Sequence, residues 1–218
     1  MLKLVDLSGN GRTAAAVNAP TYTAGTGYSM VFGSKQRLDL PFSMADLGTA
    51  WRMEIDVTIP ASLDERQYLC GDGTGLVETS ALMLRLNRDG VANPGCLYVS
   101  LWNSEDTRKY VQDTTDLRGG RHVIAVAYNA SGVAPETFGV FIDGVQVFAT
   151  ALDTGLALRD VGTELTLGGM TNSGNYYSDI TWHSVRIWSN QPRIYTGTVG
   201  TRVGPYARWA LGTPESVA

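Results

Sequence analysis

Cysteine is nearly missing from this chain, with Cys70 and Cys96 the only two among 218 residues. That count excludes a disulfide-stapled scaffold, and both thiols are expected to stay reduced in the core. Histidine is equally scarce: His122 and His183 stand alone, neither with a second His or a Cys at metal-ligand spacing. No stretch approaches the ~18 uninterrupted apolar residues of a membrane span, so no membrane insertion is expected. Runs of five like charges are lacking too. With 17 basic against 21 acidic residues, the chain has no basic stripe of the kind nucleic-acid partners require. No window holds a 3.6-residue apolar period, and a turn or two near residues 44–47 is the most helix the pattern supports. A Gly-x-Ser-x-Gly elbow and a phosphate-binding loop are both missing. The opening MLKLVDLSGNGR has no basic stretch followed by an apolar region, so synthesis in a cytoplasm without a cleaved signal is expected.

Glycine, in contrast, is abundant, at 25 residues, and falls between short runs of β-branched and aromatic residues where turns belong. Strands are expected at 28–32, 37–40, 51–59, 67–70, 82–87, 97–103, 109–112, 121–128, 137–142, 145–149, 164–167 and 179–188. The stretch RHVIAVAYNASGVAPETFGVFIDGVQV, residues 121–147, is the most telling. It reads as an apolar strand, a loop, and a hairpin turned on Asp143-Gly144, a pair that accepts the positive φ angles of a type I′ turn. Strand 121–128 is apolar on both parities and belongs between two neighbours with both faces covered. Strand 51–59 alternates strictly: Trp51, Met53, Ile55, Val57 and Ile59 point one way, Arg52, Glu54, Asp56 and Thr58 the other. Pro60 then ends the ladder. In 97–102, Leu97, Val99 and Leu101 oppose Tyr98, Ser100 and Trp102. Together these imply an all-β, two-sheet antiparallel β-sandwich of the jelly-roll type. It is expected over residues 1–189, followed by an irregular segment or docking arm at 190–218. That last segment is rich in Pro and Gly and carries Tyr195, Tyr206 and Trp209 as candidate contacts for assembly.

Four stretches resemble a known family, the concanavalin A-like lectin/glucanase superfamily, in its laminin-G-like jelly rolls of bacterial and phage type. Asp6-Leu7-Ser8-Gly9-Asn10-Gly11 is similar to the opening of such modules, and residues 51–60 to their aromatic-x-x-E strand ending in Pro. Residues 121–147 resemble their central strand and Asp-Gly hairpin. Residues 165–168 followed by Ser184-Val185-Arg186-Ile187-Trp188 resemble their closing motif. His183 and Ser184 stand where that motif usually carries two acids, and Arg121 where a Trp often precedes the central His. The resemblance implies the sandwich fold and leaves function mixed.

One branch of that superfamily hydrolyses β-glucans with a strand motif E-x-D-x-(x)-E. Glu54 and Asp56 match its first two carboxylates, but Thr58 and Ile59 occupy the place of the last, so retaining hydrolysis lacks its proton donor. No enzyme activity is expected. Calcium is the one cofactor the sequence leaves open, through Asp72, Asp106, Asp143, Asn172, Asn175 and Asp179 at loops. For a glycan ligand the candidates are Trp102 and Asn103 at a strand end and Asn172, Asn175, Tyr176 and Tyr177 in a polar loop. The expected role is a structural or adhesive virion component, decorating a capsid or attaching a tail. Its partners would be capsid or tail proteins or further copies of itself. A carbohydrate-binding module is the alternative, and a glycoside hydrolase the third.

Overall fold

Strands with one oily parity need a cover, and the chain provides it by folding two sheets against each other. The computed structural model describes residues 3–4, 10–17, 21–23, 29–32, 36–72, 80–103, 108–130, 138–150, 158–169, 178–189 and 207–210. In chain order the strands are β1 (Lys3–Leu4), β2 (Ala14–Val17), β3 (Thr21–Thr23), β4 (Ser29–Phe32), β5 (Arg37–Asp39), β6 (Ala50–Thr58), β7 (Gln67–Gly71) and β8 (Leu82–Leu86). They continue with β9 (Leu97–Trp102), β10 (Arg108–Gln112), β11 (Arg121–Asn129), β12 (Phe138–Ile142), β13 (Val145–Thr150), β14 (Thr166–Leu167), β15 (Ser178–Ser189) and β16 (Ala207–Ala210). One 3₁₀ turn, Ala45–Leu47, sits where the short helix was expected, and Asp46 accepts hydrogen bonds from the Ser43 backbone and hydroxyl.

The first sheet has the order β1-β2-β5-β14-β7-β8-β9-β10, and the second β13-β12-β11-β6-β15-β4-β3, with β16 also pairing β15. Neighbours pair antiparallel, as in Ile124 opposite Ile55 and Leu84 opposite Val99. The expected two-sheet antiparallel sandwich is therefore the fold. One continuous core lies between the layers, with Trp51, Ile55, Val126, Phe138 and Trp182 from the second sheet meeting Leu38, Leu84, Val99 and Leu167 from the first. Each such fully buried side chain contributes about 1.5–3 kcal/mol by leaving water.

Local chemistry explains the details. At the β12–β13 hairpin Asp143 and Gly144 adopt φ of 54° and 81°, the left-handed pair the sequence implied. Asp143 reinforces the turn by accepting from the Val123 N–H at 2.8 Å, and its Oδ2 lies 2.7 Å from His122 Nδ1. Strand β11 is central, between β6 and β12, but only its second half is fully covered: Val123 remains 38% exposed. In β15 the inward parity switches. Ile180 and Trp182 are buried, and so are Val185 and Ile187, an odd step apart. A bulge between Trp182 and Ser184 absorbs the extra residue, His183, and lets both pairs face the core. Within 190–218, the described residues are Ala207–Ala210, which form β16 against Ser184–Ile187. Tyr195 and Tyr206 lie outside the described residues.

Candidate functional site

The outer face of the first sheet, over β8, β9 and β10, departs from a plain solvated surface. Alternation sends Leu82, Leu84, Leu97, Val99, Leu101 and Val111 into the core. The opposite parity therefore presents Met83 and Arg85, then Tyr98, Ser100 and Trp102, then Arg108 and Tyr110. Register aligns them: Arg85 lies opposite Tyr98, Met83 opposite Ser100, Trp102 opposite Arg108 and Ser100 opposite Tyr110. Tyr68, from β7, joins Met83 and Tyr98 in a second small apolar cluster.

Arginines cap this layer. The Arg85 guanidinium carbon is 4.4 Å from the Tyr98 ring centroid, and Arg108 lies 5.6, 5.8 and 5.1 Å from the rings of Tyr98, Trp102 and Tyr110. Arg159 approaches Trp102 from the other flank at 5.8 Å. Tyr98 and Tyr110 stack at 5.8 Å with planes 19° apart, and Tyr110 is 60% exposed, leaving its ring accessible at the rim. Cation–π contacts of this kind are worth ~0.5–2 kcal/mol each. They do not neutralise the charge, and neither Arg85 nor Arg108 forms a salt bridge with a carboxylate among the described residues. Burial, with Arg66 and Arg108 as like-charged neighbours, lowers the Arg85 pKa, and its hydrogen bond to Tyr68 opposes this. Arg85 Nε, Arg108 Nε, Ser100 Oγ and Trp102 Nε1 are all buried without a hydrogen-bond partner among the described residues. Each unsatisfied group costs about 1–3 kcal/mol.

The backbone fixes Trp102 from two sides. Its N–H donates to Ala81 O at 2.9 Å, and its carbonyl accepts from the Arg159 N–H at 3.0 Å. Ala81 is held in turn by Asp72, whose Oδ1 accepts from the N–H groups of Ala81 and Leu82 at 2.8 and 2.9 Å. Asp72 is buried, its Oδ2 has no partner, and burial pushes its pKa up to about 7.

Of the ligand residues expected from the sequence, Trp102 lies in this layer and Asn103, buried beside it, bridges Leu158. Asn172, Asn175, Tyr176 and Tyr177 lie outside the described residues, and the side chain of Trp209 is likewise not described. Tyr98, Tyr110, Arg85 and Arg108 were not among the ligand residues expected from the sequence. Their signal was present in the shared parity of Tyr98, Ser100 and Trp102, but only the register joins that row to Arg85 and Arg108.

The outer face of the second sheet carries the carboxylates that suggested hydrolysis. Glu54 pairs with Arg52 and lies 3.6 Å from Arg186, and Asp56 receives a two-pronged contact from Arg121 at 2.8–2.9 Å. Thr58 Oγ1 shares a 2.8 Å hydrogen bond with His183 Nε2, and burial with nearby Arg121 lowers the His183 pKa. The acids are thus engaged by arginines, and Thr58 holds a histidine where a third carboxylate would be needed.

Among the calcium candidates, Asp72 holds backbone amides, Asp143 holds the hairpin, and the Asp179 backbone N–H donates to Gln67 at 2.6 Å. Asp106, Asn172 and Asn175 lie outside the described residues. Among the described residues no three His, Cys, Asp or Glu side chains gather as a metal site would require. Cys70 and Cys96 are unpaired and buried. No helix among the described residues is long and apolar enough to cross a membrane.

No protein-family model matches the chain. No curated protein matches it either. Solved structures do. The receptor binding domain of the botulinum neurotoxin C/D mosaic serotype superposes with a TM-score of 0.58 at 13% identity, over 87% of this chain and 48% of that one. The type G botulinum neurotoxin receptor binding domain gives 0.55 at 8% identity, over 99% of this chain and 48% of its own. The binding domain of Paraclostridial Mosquitocidal Protein 1 gives 0.59 at 9% identity, over 99% and 49%. This chain spans about half the length of each of these neighbours, and at such identities the shared property is the β-sandwich fold.

Proposed function

We propose that the chain is a non-enzymatic adhesive module that binds a glycan on the outer face of its first sheet, on a concanavalin A-like, laminin-G-like jelly roll. The observation that carries this reading is the Tyr98–Tyr110 stack beside Trp102, under Arg85 and Arg108, neither of which meets a carboxylate among the described residues. Sugar rings pair an apolar face with a rim of hydroxyls. The exposed ring of Tyr110 beside the half-buried guanidinium groups of Arg85 and Arg108 matches both. The structural neighbours named as receptor binding or binding domains support a binding role for this fold. The arginine pairing of Glu54 and Asp56 argues against a glycosidase reading.

A virion component docking through residues 190–218 is the second reading, resting on the aromatic Pro/Gly-rich character of that segment. Ala207–Ala210 there pairs with the chain's own β15, which favours the first reading. The test is a glycan array with full-length protein, followed by titration calorimetry on the best hit. Trp102→Ala and Tyr110→Ala are each expected to weaken binding at least about fivefold while leaving the fold intact. An array without hits, or hits indifferent to both substitutions, would sink the proposal.

A further inference from the structure

Resting on that same site, we infer that its ligand is an acidic saccharide, whose carboxylate or sulfate sits against Arg85 and Arg108 while a ring packs on Tyr110. Charge complementarity selects this occupant. The chain as a whole is acidic, at net −4, yet its outer first-sheet face concentrates Arg85, Arg108 and Arg159 around three aromatic rings.

Among the described residues several arginines meet acids: Arg37 meets Asp39, Arg118 meets Asp89 and Asp116, and Arg121 meets Asp56. Arg85 and Arg108 do not. Both instead address the same Tyr98 ring, at 4.4 and 5.6 Å, from the strands on either side of it. A planar oxyanion satisfies guanidinium N–H groups two at a time, which a neutral hydroxyl cannot do.

The experiment uses one sugar ring in three forms: neutral galactotriose, trigalacturonic acid and a sulfated galacto-oligosaccharide. Each is titrated into the full chain at about 50 mM and about 300 mM salt. The expected result is binding of at least one acidic form about tenfold or more tighter than galactotriose at low salt, weakening as salt rises. The two acidic arms tell carboxylate from sulfate. Arg108→Gln, on the edge strand, and Arg85→Gln are each expected to reduce that preference, and the double variant to abolish it without a loss of far-ultraviolet circular dichroism. Equal affinity for neutral and acidic forms, with Tyr110→Ala still weakening both, overturns the anion inference and leaves the glycan site standing. No binding of any saccharide overturns both. Light scattering supplies the remaining arm: a dimer dissociated by Arg108→Glu would assign the face to a second copy of the chain and overturn the inference.

Discussion

Asp72 shows how one buried carboxyl makes stability depend on pH. Its pKa of about 7 in the folded chain lies above the ordinary aspartate value, because burial disfavours the charged form. The folded state therefore holds this proton more tightly than the unfolded state does. The stabilisation is fully present in acid and is lost as pH rises through about 7. An asparagine at this position would keep an oxygen for the Ala81 and Leu82 amides without the charge. Asp72→Asn is therefore expected to flatten the decline in melting temperature between pH 5 and pH 8, a difference on the order of 3 kcal/mol at the alkaline end. Parallel melting curves across that range check it, and equal slopes in both proteins would refute it. Residue identity singled out part of the proposed site. Trp102 and Asn103 stood out as an aromatic and an amide at a strand end. Arg85 and Arg108 did not, because nothing in a single chain segment tells whether an arginine has an acid beside it.

Elements were the most legible level, for reasons visible in individual strands. Where alternation was strict, as from Trp51 to Val57, the structure follows it, with Trp51, Met53, Ile55 and Val57 all buried. The Asp143-Gly144 turn was readable because few other pairs tolerate two successive positive φ angles. Strand β2 gave no signal, since Ala14–Val17 is nearly all alanine and has no polarity to alternate. β16 is four residues long, and its strand character comes from pairing with β15. The parity switch at His183 was hidden as well, because a bulge looks like a break in a pattern until the partner strand is seen. Two glycines separate backbone strain from crowding. Gly144 has φ +81° and open space around it, so Gly144→Ala should cost about 1–2 kcal/mol through conformation alone. Gly95, at φ +72°, would also drive a methyl into Asp116 and Arg118, which form an ion pair. Gly95→Ala is expected to be the more destabilising of the two in urea melts. The reverse order would mean that the Asp116–Arg118 pair yields freely.

For the whole molecule, the proposed binding face lies on the first sheet and Ala207–Ala210 on the second. Ending the chain after Ser189 removes β16 and leaves Ser184–Ile187 without that partner, so the melting temperature is expected to fall by about 2–8 °C. Saccharide binding at the first sheet should be unchanged. Loss of binding with an intact fold would move the site, and retained stability would show that β16 contributes nothing. The position of β10 has one more effect. It borders its sheet, where a row of open amides and carbonyls invites a strand from another molecule. Arg108 and Lys109 place two positive charges on that border, so approach by a like strand meets repulsion. The arginine that would greet an acidic sugar is thus also placed to oppose edge-to-edge pairing between copies of this protein.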